Sequence, residues 1–151
     1  MDRKIDCIVW HTSATKESSN IGVDELRRMH KARGWSDVGY HIIVQRNGNI
    51  QIGRPIEKIG AGVYGFNKHA VHLVWIGGLK NDGKTIVDNR SESQKASMIA
   101  ATIEMKKSYP NAKVIGHRDF SPDLNGDGKI TSNEWIKQCP CFDAMEEYKW
   151  I

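Results

Sequence analysis

The chain has 151 residues, enough for one domain that buries roughly 70% of its unfolded surface. Its 22 basic residues stand against 18 acidic ones without any run of like charge, which excludes a dedicated nucleic-acid arm and leaves only a weak pull on anionic polymers. Three cysteines, Cys7, Cys139 and Cys141, supply no even-numbered disulfide framework, and the last two are too close for an easy bridge, so they read as thiols or metal ligands in a reducing compartment.

The basic pair Arg3 and Lys4 precedes an apolar run that lasts only from Ile5 to Trp10, with Asp6 inside it and no cleavage-type motif. No signal peptide and no membrane insertion are expected, so synthesis is cytoplasmic and any work outside the membrane needs lysis or another export route. The same run is β-branched and predicts a buried strand delivering His11 at its C-terminal end. Val23, Leu26, Met29 and Ala32 recur at helical spacing and predict an amphipathic helix closed by Gly34. Tyr40 to Val44 and Ile50 to Ile52 flank Asn47-Gly48, a hairpin signal.

Gly60 to Gly65 reads as a loop, Ala70 to Ile76 as a second buried strand, and the polar stretch Lys80 to Arg90 as a surface excursion. Ser91 with Gln94 starts a capped helix running to about Ser108, with Met98, Ile99, Ile103 and Met105 as its apolar positions. Pro110 ends it, Ala112 to Ile115 forms a short strand leading to His117, and Phe142 to Tyr148 a last helix. This order predicts an α/β fold: a single domain over 1–151 with a central mixed β-sheet flanked by helices.

Two motifs carry chemistry. His11, His117 and Cys139 each follow a strand or lie in the loop after the last one, and imidazole with thiolate suits zinc with one position left open. On spacing alone, a surface histidine, a turn histidine and a buried thiol explain them equally well. Asp123-Leu-Asn125-Gly-Asp127-Gly128-Lys129-Ile-Thr131-Ser-Asn-Glu134 matches an EF-hand calcium loop at every fixed position. Asp123, Asn125, Asp127, the Lys129 carbonyl, Thr131 and Glu134 supply the oxygens, and Gly128 makes the turn; the competing reading is an ordinary surface turn.

His11 in V-W-H-T-S-A-T, H-K-A-R-G-W-S-D-V-G-Y-H-I-I-V from His30 to Val44, G-R-P after the hairpin, G-F-N at Gly65, G-H-R-D at Gly116 and K-Q-C-P at Lys137 occur in a familiar order. The sequence resembles zinc-dependent N-acetylmuramoyl-L-alanine amidases, in particular the small phage-lysozyme-type members, whose fold is shared with peptidoglycan-recognition proteins. The resemblance implies that His11, His117 and Cys139 hold zinc, that Tyr40 is a catalytic or orienting hydroxyl, and that Lys137 is catalytic. It also implies a peptidoglycan substrate and a phage or prophage endolysin that acts on the bacterial wall. Small relatives join the second histidine to the cysteine by a shorter connection, so the calcium loop at 123–134 reads as inserted into the amidase fold.

The remaining residues take quieter roles. Cys141 is expected to be a packed thiol, His41 and His72 packed or supporting histidines, and His30 and His69 solvated or at the groove's edge. Asn67, Trp35 and Arg54 are candidate groove residues by position. The alternative function is a non-catalytic peptidoglycan-recognition module, which the presence of Cys139 disfavours. A calcium sensor is disfavoured because a lone loop has no helix pair to open. Nothing in the pattern calls for more than a monomer.

Overall fold

Strands β1 (Cys7–Thr12) and β5 (Ala70–Trp75) are rich in Ile, Val, Leu and Trp and are buried almost throughout. Continuous apolar strands of this kind occur in parallel sheets covered on both faces. The pair runs parallel, from Cys7 opposite Ala70 to Thr12 opposite Trp75. The computed structural model describes residues 3–151, and residues 1 and 2 of the expected domain lie outside them.

The other elements assemble around this pair. They are a two-residue β2 (Thr15–Lys16), α1 (Val23–Ala32), β3 (Ile42–Val44), β4 (Ile50–Ile52), β6 (Gly78–Leu79), α2 (Glu92–Ser108), β7 (Lys113–Gly116) and a short α3 (Ala144–Glu147). The main sheet has the order β4-β3-β5-β1-β7, antiparallel only between β3 and β4. It is the expected mixed sheet in a single α/β domain. The small parallel pair of β2 with β6 was not signalled by any apolar pattern and rests on Gly77 and Gly78, whose φ values of 138 and 100 few other residues adopt.

Side-chain alternation sorts the sheet into two faces. Ile8, Trp10, Val71, Leu73 and Trp75 pack against Met98 and Ala101 of α2 and against Ala144 and Tyr148 around α3. On the opposite face, Ile43 and Val74 meet Leu26 of α1, while Val9, Ala70 and Ile115 pack with Val63. His11 and His72 belong to this second face.

Several expected details change. α2 begins with the predicted box, Ser91 Oγ accepting from Gln94 N at 3.0 Å and Gln94 Oε1 accepting from Ser91 N at 3.0 Å. Of its four expected apolar positions only Met98 is fully buried, and Gln94 and Thr102 share the core face instead. They are there to satisfy buried polar groups. Thr102 Oγ1 accepts the Trp10 indole N–H at 3.0 Å, and Gln94 Nε2 donates to the Ile76 carbonyl at 2.8 Å.

In α1, Leu26 is buried as expected but Met29 is 39% exposed, and His30 takes the inner position. His30 is therefore not solvated: its Nδ1 accepts from Gly39 N at 2.8 Å and its ring lies 4.6 Å from Trp35. The 80–90 excursion also ends inside the protein. Arg90 is buried over the Phe142 ring at 3.6 Å and donates to Glu147 at 2.6 and 2.8 Å. Among the described residues, no helix is long and apolar enough to cross a membrane.

Candidate active site

His11 lies within β1 rather than after it, one residue before the strand's end, and is 1% exposed. β7 pairs with β1 as far as Gly116 opposite Trp10, so His117 starts the next turn beside His11. The two rings meet edge to face with centroids 5.0 Å apart. Cys139 arrives from the far end of the chain because the segment after it packs onto Gly116, where a Cβ would come within 2.6 Å of Pro140. The Cys139 carbonyl accepts from Arg118 N at 2.8 Å, and its Sγ accepts from Thr12 N at 3.2 Å.

One ligand atom from each of His11, His117 and Cys139 falls within 4.8 Å of the others. Cys139 Sγ lies 3.7 Å from His11 Nδ1. On a tetrahedral zinc ion with ordinary bond lengths, sulfur and nitrogen ligands stand about 3.6 Å apart, so this donor set fits such an ion. Cys141 lines the same cleft but does not join the group. All three cysteines are free thiols.

Burial favours the neutral form of each imidazole, as ligation requires. Burial first, then the neighbouring His72, His117 and Lys137, push His11 well below its ordinary value. Burial, with the Lys137 ammonium nearby, lowers His117 to about 4. The same desolvation pushes the Cys139 thiol up to about 12, so it gives up its proton only with a cation at hand.

Tyr40 and Lys137 open onto this centre. Both line a cleft of about 720 Å³ together with His11, His117 and Cys139. The Tyr40 ring lies 5.2 Å from that of His11, and burial raises its hydroxyl pKa, which keeps the phenol a donor. Tyr40 and His41 both precede β3, which starts at Ile42. His41 is buried and stacks on His72 at 6.0 Å.

The groove candidates divide. Trp35 lines the cleft, and Asn67 lines its continuation of about 640 Å³ past Phe66 and Phe120. Asn67 also braces the glycine-rich loop, its Oδ1 accepting from Gly62 and Val63 at 3.0 and 2.9 Å. Arg54 does not face the groove: its guanidinium donates to the carbonyls of Val38 and Ile59 at 2.9 and 2.6 Å. His69 is exposed, as expected.

A second group of donors lies in the 123–134 loop, where carboxylate oxygens of Asp123, Asp127 and Glu134 fall within 4.8 Å of one another. Gly128, at φ 81, donates its N–H to Asp123 Oδ2 at 2.7 Å. Asn125 Oδ1 accepts from Asp127 N at 3.1 Å, and Lys129 N donates to Asp127 Oδ1 at 2.8 Å. Glu134 alone is buried, its carboxylate facing Leu124 N and Thr131 N. A short 3-10 turn, His117–Phe120, precedes the loop and another, Ser132–Glu134, forms its end.

Two further residues stand near the centre: His72, expected to be packed or supporting, and Trp135, which the sequence did not single out. His72 Nδ1 lies 2.9 Å from His11 Nε2, and burial holds the His72 pKa down at about 3. A histidine inside an apolar strand gives no sign of such a partner. Trp135, two residues before Lys137, packs under the Arg118 guanidinium at 3.9 Å.

Sequence likeness places the chain among the peptidoglycan amidases. The chain belongs to the N-acetylmuramoyl-L-alanine amidase family, whose pattern matches residues 1–140. It is 33% identical to an endolysin of Enterobacteria phage K11 over 141 residues, which is 93% of this chain and 82% of that one. Among solved structures, the N-acetylmuramoyl-L-alanine amidase LysC from Clostridium intestinale superposes with a TM-score of 0.71 at 23% identity, over 96% of this chain and 82% of LysC. The recognition protein PGRP-SA of Apis mellifera follows at 0.66 and 20%, over 96% and 81%, so the fold is common to both groups.

Proposed function

We propose that this chain is a zinc-dependent amidase of the endolysin type, cleaving the amide between the lactyl group of N-acetylmuramic acid and the L-alanine of the stem peptide. The observation that carries the reading is the convergence of His11, His117 and Cys139 donor atoms within 4.8 Å at the floor of the cleft. In this reading the protein acts as a monomer on the bacterial wall after lysis or export.

His11, His117 and Cys139 would hold the ion, which supplies Lewis acidity at the scissile carbonyl and lowers the pKa of an attacking water. Lys137 donates to the oxygen that gains negative charge as the carbonyl is attacked, and Tyr40 donates at the same centre. Both contribute only because they are in place before the transition state forms. Trp35 lines the cleft through which the substrate enters.

The same reading assigns calcium to the 123–134 loop, with Asp123, Asn125, Asp127, the Lys129 carbonyl and Glu134 as ligands. Its role is to order the segment between His117 and Lys137, because both ends of that segment enter the active cleft. A recognition module without catalysis is the alternative, supported by the likeness to PGRP-SA and opposed by the complete set of His11, Tyr40, His117, Lys137 and Cys139.

The test combines metal analysis of the purified protein with release of stem peptide from purified peptidoglycan, before and after chelation. The expected result is about one zinc per chain and activity restored by zinc, with calcium acting on stability. Binding to peptidoglycan without peptide release in any metal state would establish the recognition module instead.

A further inference from the structure

His11 uses both ring nitrogens. Nδ1 faces Cys139 Sγ at 3.7 Å, and Nε2 faces His72 Nδ1 at 2.9 Å. A neutral imidazole carries one proton, so if Nδ1 offers its lone pair to a metal, Nε2 must carry the hydrogen and needs an acceptor. The only polar partner recorded for Nε2 among the described residues is His72. Ligating histidines commonly donate this hydrogen to a carboxylate, a carbonyl or water, so a second imidazole in the role is unusual.

The surroundings of His72 hold its ring in that place. The residue is 0% exposed on β5, and its backbone N–H donates to His41 Nδ1 at 3.0 Å. That bond leaves the His41 proton on Nε2, which donates to the Lys58 carbonyl at 2.8 Å. The His41 and His72 rings then stack with planes 10° apart. Gly62 lies against the other side, where a Cβ would run into the His72 ring, and Gly60 comes nearly as close.

We propose that His72 is a positioning residue for the metal centre: its Nδ1 accepts the His11 Nε2–H and so holds His11 in the tautomer that presents Nδ1 to zinc. This rests on the zinc reading of the site. The arrangement puts the His72 hydrogen on Nε2, which is buried without a hydrogen-bond partner among the described residues, so this tautomer is held at a cost. Reversing the two tautomers would leave a bare lone pair there, a cheaper orphan than an N–H. The reversal would also place a hydrogen on His11 Nδ1, towards Cys139, and block ligation.

Two substitutions separate this role from packing. His72→Leu keeps much of the volume and removes the acceptor, whereas His72→Asn puts a carbonyl oxygen near the place of Nδ1 but leaves a cavity. Zinc affinity is measured by competition with a chromophoric chelator, and melting is measured on the metal-free proteins. His72→Leu is expected to weaken zinc binding by about 10- to 100-fold with little change in metal-free melting. His72→Asn is expected to stay within about threefold of the parent's zinc affinity while melting earlier.

Equal zinc affinity in His72→Leu and the parent, or an Asn variant as weak as the Leu variant, overturns the proposal. A second measurement needs no variant: long-range nitrogen–proton spectra of the zinc-loaded parent should show His72 protonated on Nε2, and protonation on Nδ1 overturns the idea equally. A parent that takes up no zinc fails the proposed function itself, an outcome separate from these.

Discussion

The two metal-capable groups of this protein are built in opposite ways. The His11, His117 and Cys139 set is assembled from three distant parts of the chain, with Cys139 lying 128 positions from His11, on the covered floor of a parallel sheet. The 123–134 group is contiguous, mostly exposed and held by its own turn hydrogen bonds. The first needs the whole fold to exist. The second needs only its local sequence, so an ion there acts on the order of one segment and leaves the sheet alone.

That contrast is most open to challenge at the cysteines. Cys139→Ser should lose zinc and at least about 100-fold in peptide release, since removing even a supporting partner of a ligand costs 10- to 100-fold. Cys141→Ser should change release by less than about threefold, and the reverse ranking would move the ligand to Cys141. Lys137→Ala should lower turnover by about 100- to 1,000-fold with zinc content unchanged, the usual loss when one donor to a developing oxyanion is removed. Loss of zinc in that variant would make Lys137 a structural residue.

On the other side, the loop should respond in stability before activity. Saturating calcium at about 100 times its Kd should add about 2.7 kcal/mol, or roughly 5–10 °C in melting temperature, and Glu134→Gln should abolish that gain. An unchanged melting curve with calcium in the parent would reduce the motif to a surface turn.

The smallest effect concerns His30, which is buried behind Tyr40 with ring centroids 5.4 Å apart. Burial, then the nearby Arg33 and Arg54, lower His30 to about 4, below its ordinary value in the unfolded chain. The unfolded state therefore takes up the proton first. Stability from neutral His30 is complete above about pH 6.5 and is lost as pH falls towards 4, on the order of 2 kcal/mol. His30→Gln should flatten that part of the metal-free melting profile, and a profile as steep as the parent's would place the titration elsewhere.

Local signals were legible in the sequence wherever chemistry is settled by neighbours. Ser91 and Gln94 announced the start of α2, Asn47-Gly48 announced the hairpin, and the buried strands announced themselves by β-branched runs. What failed were polar residues whose partners come from other elements. Gln94 and Thr102 face the core because Trp10 and the end of β5 bring polar groups to them, and Arg90 is drawn in by Glu147. His72 lies 61 positions from His11, so nothing near it in the chain announces the bond. The proposed zinc ligands were readable only through family likeness, because spacing leaves such distant donors unmarked.

One detail of the loop bears on how such a chain could come about. Ile136 N donates to Ser121 Oγ at 3.0 Å, and Arg118 covers Trp135 at 3.9 Å, so the excursion leaves and re-enters the body of the protein through a narrow neck. Closing a segment of that size costs only slowly more as it lengthens. A stretch anchored at one doorway is a cassette: it can be gained, lengthened or trimmed between Ser121 and Ile136 while the strands that position His11 and His117 keep their register.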